Sequence, residues 1–189
     1  MKFLSSKLYA GVMSFMLFFI AGNLEAQNED QLMDDQKREV IRSDSKDALE
    51  VFKMNNPKLE QILDNAEGYA IFPNVGKGAY ILGGAAGNGV LYQNGQVAGY
   101  SELRQIDIGF QIGGKAFREL IVFQTQEALN RFKSGNFEFE GAASAVIWDE
   151  GATEALQFRD GIGVAIIPKA GAMIGVSVGG QEFNYRPLD

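Results

Sequence analysis

Neither histidine nor cysteine occurs among the 189 residues. The Ser-His-Asp and Cys-His arrangements, and the usual zinc, haem and iron-sulfur ligand sets, therefore have no residues to build from. Carboxylate chemistry remains, with Glu102, Asp107, Asp149, Glu150 and Asp160 as its candidates. It would need two of them held at a glycosidase separation. Each reads more simply as a solvated strand or turn residue, so no catalytic residue, metal ligand or cofactor is assigned. Gly76-Lys77-Gly78 lacks the spacing of a P-loop, and Gly87-Asn88-Gly89 lacks the third glycine and the helix of a dinucleotide turn. The side chains best suited to chemistry are basic. Lys77 and Lys169 follow Pro73 and Pro168 in two similar turns, and Arg104, Lys115 and Arg118 form a second group. A phosphate group is what such cations recognise, together with backbone N–H groups left open by neighbouring glycines.

The two turns belong to a unit that occurs twice. Ala70-Ile71-Phe72-Pro73 followed by Gly78-Ala79-Tyr80-Ile81-Leu82-Gly83-Gly84 is echoed by Ala165-Ile166-Ile167-Pro168 followed by Gly171-Ala172-Met173-Ile174-Gly175, running on to Gly179-Gly180. A third partial copy, Ile108-Gly109-Phe110-Gln111-Ile112-Gly113-Gly114, ends at Phe117. The copies are too few and too far apart for a solenoid. Glycine inside strands marks bends, bulges or close backbone approach, so the repeat predicts a strongly curved sheet with internal pseudosymmetry. That symmetry would bring Lys77 and Lys169 to one rim.

Lys2 and Lys7, the apolar run from Leu8 to Ala21, and Leu24-Glu25-Ala26 have the layout of a signal peptide cut after Ala26. The expected organisation is therefore a leader over 1–26 and one domain over 27–189, helical over 27–67 and β-rich over 68–189. The expected destination is periplasmic or extracellular. The net charge of −7 argues against nucleic acid as a partner and against whole-molecule attraction to an anionic membrane. Any lipid contact must be local.

From Asn28 to about Met54 the apolar residues Met33, Val40, Ile41, Ala48 and Phe52 share a helical face. The opposite face is acidic, which suits a helix covering a sheet and not a membrane-surface anchor. Asn56-Pro57 predicts a second, short helix with Leu59, Ile62 and Leu63 inward, closing near Gly68. Strands are predicted over Tyr69–Phe72, Ala79–Ala86, Val90–Gln93 and Gln96–Glu102, with an Asn94-Gly95 hairpin turn. Ile106, Ile108, Phe110 and Ile112 alternate with Gln105, Asp107, Gly109 and Gln111, predicting one buried and one solvent face. A strand over Arg118–Phe123 leads to a helix capped by Thr125 and stopped at Gly135. Strand character returns at Phe137–Phe139 and Val146–Trp148, and Arg159-Asp160-Gly161 is a turn into the second copy of the repeat.

Gly68-Tyr69-Ala70-Ile71-Phe72-Pro73, Gly83-Gly84 with Gly87 and Gly89-Val90-Leu91, Gly109-Phe110-Gln111-Ile112-Gly113, Val122-Phe123, Ala128-Leu129 with Phe132, and Gly175-Val176-Ser177-Val178 together resemble the SYLF domain, also called the Ysc84 actin-binding domain. The resemblance covers Leu49 to Phe183. It implies a lipid-binding module: eukaryotic relatives associate with phosphoinositides or phosphatidic acid and some bind actin, while bacterial relatives are commonly exported. Eukaryotic relatives use a membrane-seeking amphipathic N-terminal segment, whereas the helix here is acidic. Actin binding is not expected of an exported chain without an adjoining SH3 or FYVE module.

The expectation is an α+β domain with a strongly curved, mainly antiparallel, glycine-rich sheet or partial barrel, two N-terminal helices and one short inserted helix. Its expected role is non-enzymatic binding of an anionic phospholipid or acyl lipid, with Lys77, Lys169, Arg104, Lys115 and Arg118 as head-group residues. The alternative is an envelope scaffold that docks a protein partner through the acidic helix.

Overall fold

The computed structural model describes residues 34–76, 84–106, 116–135, 137–138, 145–148, 155–169 and 180–188. The proposed leader, Lys77, Lys115, Asp107, Asp149, Glu150 and most of the glycine-rich half of each repeat lie outside these residues. Two compact units divide the chain after Val40. The described part of the first is helical, with Arg38 paired to Asp34 at 3.1 Å. The second holds the sheet and its helices.

Residues 34–55 are helical (α1), followed by α2 (Leu59–Asp64). Strands β1 (Gly68–Val75), β2 (Gly84–Gln93), β3 (Gln96–Ile106) and β4 (Phe117–Phe123) precede α3 (Gln126–Lys133). Then come β5 (Phe137–Glu138), β6 (Ala145–Ile147), β7 (Phe158–Arg159), β8 (Ile162–Pro168) and β9 (Gln181–Pro187). The order across the sheet is β5-β9-β3-β2-β1-β4-β8-β6, with β7 paired to β8. All pairs are antiparallel except β6 with β8. The fold is thus the expected α+β class, and the curved sheet stays open at its edges β5 and β6.

Local sequence sets the corners. Asn94 (φ 53°) and Gly95 (φ 73°) form the β2–β3 turn, and Asp160 (φ 49°) and Gly161 (φ 76°) the β7–β8 turn, the left-handed pairs that match the twist of a hairpin. The Thr125 hydroxyl accepts from Ala128 N at 3.2 Å and caps α3, while Gly135 (φ 75°) follows its end. At α2 the expected start is displaced. Asn56 Oδ1 accepts from Lys58 N at 3.0 Å, so Asn56 and Pro57 build a turn and the helix begins at Leu59. It ends at Asp64, and Gly68 opens β1 instead of closing the helix.

Two glycines of the sheet are required by close approach. A Cβ at Gly89 would lie 2.6 Å from both Ile71 O and the Phe72 ring, and one at Gly99 2.4 Å from Arg186 O and 2.6 Å from the Tyr185 ring. Missing side chains on β2 and β3 therefore make room for aromatic rings on their neighbours.

Curvature is visible in contacts between strands far apart in the order. Three strand spacings of about 4.8 Å separate β1 from β9 in a flat sheet, about 14 Å in all. Yet the rings of Phe72 and Phe183 are 5.5 Å apart between centroids. On this concave face Phe72, Phe117, Phe123, Phe132, Leu103, Ile121, Ile166 and Phe183 are buried together. Helix α3, which leaves the C-terminal end of β4, inserts Leu129 and Phe132 into the same cluster. Among the described residues this concave face is filled by the chain's own aromatic and aliphatic side chains.

Within the second unit the convex face is covered by residues 41–55 of α1 and by α2. Ala48, Phe52 and Leu59 pack against Leu120, Val122, Trp148, Ala165 and Ile167, with Phe52 edge-on to Trp148 at 6.1 Å. Of the predicted apolar stripe of α1, Ala48 and Phe52 are buried, Val40 is 59% exposed, and Met33 lies outside the described residues. Ser45 is buried in the stripe instead.

The repeat has a structural counterpart with a twist. Its two copies, on β1 and β8, both flank β4. Glu119 is opposite Phe72 on one side and Ile166 on the other, whereas the sequence repeat aligns Phe72 with Ile167. The copies are therefore one residue out of step, and matched residues face opposite ways: Phe72 and Ala70 are concave, Ile167 and Ala165 convex. A register shift between Phe72 and Val75 marks a bulge at Pro73, a place where a residue without an N–H is tolerated.

Candidate functional site

The described strand ends that flank the three glycine-rich connections lie at one end of the sheet. The three connections that join β1 to β2, β3 to β4 and β8 to β9 leave from and return to one end of the sheet. Gly76 bridges Ala86, Gly84 pairs with Ile106, Phe117 with Pro168 and Gln105 with Gln181. Lys169 sits at this end, just past β8, its backbone N–H donating to Ala116 O at 2.9 Å.

Lys169 Nζ donates to Asn74 Oδ1 at 3.0 Å, reaching over β4 to the end of β1. Partial burial and the neighbouring Arg118 guanidinium lower its pKa, with Asp44 of α1 opposing them. Arg118 is on β4, opposite Ile167 on β8. Lys169 and Arg118 are thus two cations from adjacent strands, at the end of the sheet reached by Gly76, the residue before Lys77. Two such charges and a nearby amide suit an oxyanion such as a phosphate.

The structure divides the predicted second group. Arg104 is on β3, separated from β4 by β2 and β1 in the sheet order, and its guanidinium is held by Glu102 at 2.9 Å. Arg118 instead joins Lys169. The carboxylate candidates are likewise dispersed: Glu102 is in β3, Asp160 is in the β7–β8 turn, and β2, β1 and β4 intervene. Among the described residues no cluster of three or more acidic side chains is placed to hold a metal, and no helix is long and apolar enough to cross a membrane.

On the concave face, at the same end, is a polar chain that sequence reasoning missed. Gln181 Nε2 donates to Glu119 Oε2 at 2.9 Å and lies 3.4 Å from Gln105 Oε1. Glu119 and Gln181 are fully buried and Gln105 is 3% exposed. The prediction that Gln105 faces solvent is therefore corrected: it shares the inward parity of Leu103. Glu119 is opposite Phe72 and Ile166 and flanked on its face by Phe117 and Ile121, and loss of water pushes its carboxyl up to about 8. Oε1 of Glu119 and Oε1 of Gln181 have no hydrogen-bond partner. The signal was parity. In Phe117-Arg118-Glu119-Leu120-Ile121-Val122-Phe123, Glu119 alternates with Phe117, Ile121 and Phe123, which marks it as inward.

A separate cleft of about 360 Å³ lies where α1 and α2 meet the β2–β3 turn, lined by Leu49, Lys53, Glu60, Leu63, Tyr69 and Asn94 among others. Lys53 is engaged there with Glu60 at 3.4 Å and Glu50 at 3.7 Å.

Residues 104–187 match the family model Ysc84, described as Las17-binding protein actin regulator. No curated protein matches the chain. The matched segment runs from Arg104 through β4, α3 and β8 to the end of β9, and so includes Arg118, Glu119, Lys169 and Gln181.

Proposed function

The chain carries the Ysc84 (SYLF) domain, and from that premise we propose that it is an exported, non-enzymatic lipid-binding module that recognises the phosphate of an anionic phospholipid. The observation that carries the reading is the proximity of Lys169 to Arg118 of the neighbouring strand, at the end of the sheet where β1, β3 and β8 finish and β2, β4 and β9 begin. The filled concave face favours contact with a head group at this end over enclosure of a whole lipid. With a net charge of −7 the molecule as a whole is repelled by an anionic surface, so binding must come from such a local cationic spot. The actin regulation in the family's description is no part of this proposal.

Flotation with vesicles of phosphatidylcholine alone, or carrying phosphatidic acid or cardiolipin, tests it. Enrichment with the anionic vesicles is expected, reduced by Lys169→Ala and Arg118→Ala. Equal partitioning to all vesicles, or none, together with no lipid co-purifying with the protein, overturns it.

A second reading has its own observation. Helix α1 commits Ala48 and Phe52 to the sheet while Asp44, Asp47 and Glu50 stay exposed, which leaves an acidic face for a basic protein partner. Asp47→Lys with Glu50→Lys would abolish capture of such a partner and leave vesicle binding intact.

A further inference from the structure

We propose that the Glu119–Gln181–Gln105 chain is a proton-dependent clasp that fastens β9 to β4 across the concave face and releases when Glu119 ionises. The inference does not depend on lipid binding. Four strand spacings separate β9 from β4, about 19 Å in a flat sheet. A hydrogen bond of 2.9 Å between their side chains exists only because the sheet is rolled. Gln105 adds the second point of attachment, because it is paired with Gln181 in the β3–β9 register. The clasp sits at one end of the roll. Phe132 of α3 and Phe183 pack at 5.6 Å and hold the roll farther along.

What faces Glu119 makes the clasp depend on its proton. Phe72 comes from β1, Ile166 from β8, Leu103 and Gln105 from β3, Gln181 and Phe183 from β9, Ala85 from β2, and Phe117 and Ile121 from β4 itself. None of these described residues is charged or titratable. A neutral carboxyl is tolerated among them with one amide donor, and its pKa is raised accordingly. A carboxylate with one amide donor and an unpartnered oxygen is not, because an unpaired buried charge carries a large desolvation penalty. The ion regains water most readily by movement on the β9 side. Among the described residues only the two-residue β5 lies beyond β9, whereas β4 is enclosed between β1 and β8. Release would therefore uncurl β9 and uncover Phe183, Leu103 and Phe72.

Backbone amide exchange followed by NMR at pH 6 and pH 9, expressed as protection factors so that the intrinsic pH dependence cancels, tests the clasp. In the unaltered protein protection at Gln181–Phe183 and at Arg104–Gln105 is expected to fall about tenfold at pH 9, with the β1–β2 pairs Tyr69–Tyr92 and Ile71–Val90 unchanged. Glu119→Gln, which cannot ionise, should hold its protection at both pH values. An equal fall in Glu119→Gln, no fall in the unaltered protein, or a uniform fall over every strand overturns the proposal. Should the variant not fold, the carboxyl carbon resonance of Glu119 in the unaltered protein decides. A midpoint above 7 supports the clasp, and one within the ordinary carboxyl range of about 4 to 5 overturns it.

Discussion

The ammonium of Lys169 is bonded to the side-chain oxygen of Asn74 at 3.0 Å, tying the end of β8 to the end of β1 over the strand that lies between them. Because Asn74 is neutral, the bond orients the charge without cancelling it. Arg104 is in the opposite condition, its guanidinium held against Glu102 at 2.9 Å.

This contrast separates the basic residues by their expected effect on vesicle binding. A Lys or Arg close to an anionic surface contributes about 1 kcal/mol, a factor of about five. Lys169→Ala and Arg118→Ala should each weaken binding to phosphatidic acid vesicles by about that factor, and Arg104→Ala by much less. Raising the salt from 0.15 M to 1 M should erase the difference, since the screening length shrinks from about 8 Å to 3 Å. Vesicle titration of the three variants at both salt concentrations measures this. Equal losses for all three would show that general charge, not the Lys169 and Arg118 pair, governs the contact.

Gly89 predicts a packing cost. A methyl group there would meet Ile71 O and the Phe72 ring at 2.6 Å, and the first of these is backbone in the centre of the sheet. Gly89→Ala should lose about 1–3 kcal/mol by the ordinary cost of overpacking, read as a lower urea midpoint. Alanine at Asn88, exposed on the same strand, should change little.

Docking of α1 can be read through Trp148, the protein's single tryptophan. It is fully buried, and Phe52 packs edge-on to it. Phe52→Ala should cost about 3–5 kcal/mol, as for other buried phenylalanines, and shift Trp148 emission to the red. Unchanged emission with lowered stability would mean that α1 stays seated and the cavity alone accounts for the loss.

The features legible in the sequence were those fixed by neighbours along the chain. Asn94-Gly95 and Asp160-Gly161 demanded left-handed turns, Thr125 announced a helix start, and the glycines of β2 and β3 announced bending. What lay beyond it depends on partners distant in sequence. The repeat showed that two strands are alike but not that a one-residue offset against β4 turns Phe72 and Ile167 to opposite faces. Arg104 and Arg118 are near in sequence, yet two strands intervene, while Lys169 reaches Arg118 because β8 pairs with β4. Gln105 read as solvated because its neighbours alternate cleanly. The pairing of β3 with β9 gives it Gln181, and only the rolling of β9 towards β4 brings Gln181 to Glu119 as its donor.

Glu119 also fixes how stability must vary with pH. In the unfolded chain its carboxyl ionises near the ordinary value of 4.5, and in the folded protein near about 8. Between those values the native state holds one proton more than the unfolded state, so stability declines as pH rises, by about 1.4 kcal/mol per unit. Below the window both states are protonated, and above it both are ionised, so this contribution becomes flat at either side. The sign is opposite to that of a carboxylate held by a cation, which gains stability over its own window. Glu119→Gln keeps the shape and can still accept from Gln181, but it cannot titrate. Urea unfolding followed by Trp148 emission from pH 5 to pH 9 should therefore show the two proteins diverging, the unaltered chain losing stability relative to the variant at each step up to about pH 8. Parallel curves across that range would mean that Glu119 is ionised within the fold at neutral pH, and the clasp would lose its proton.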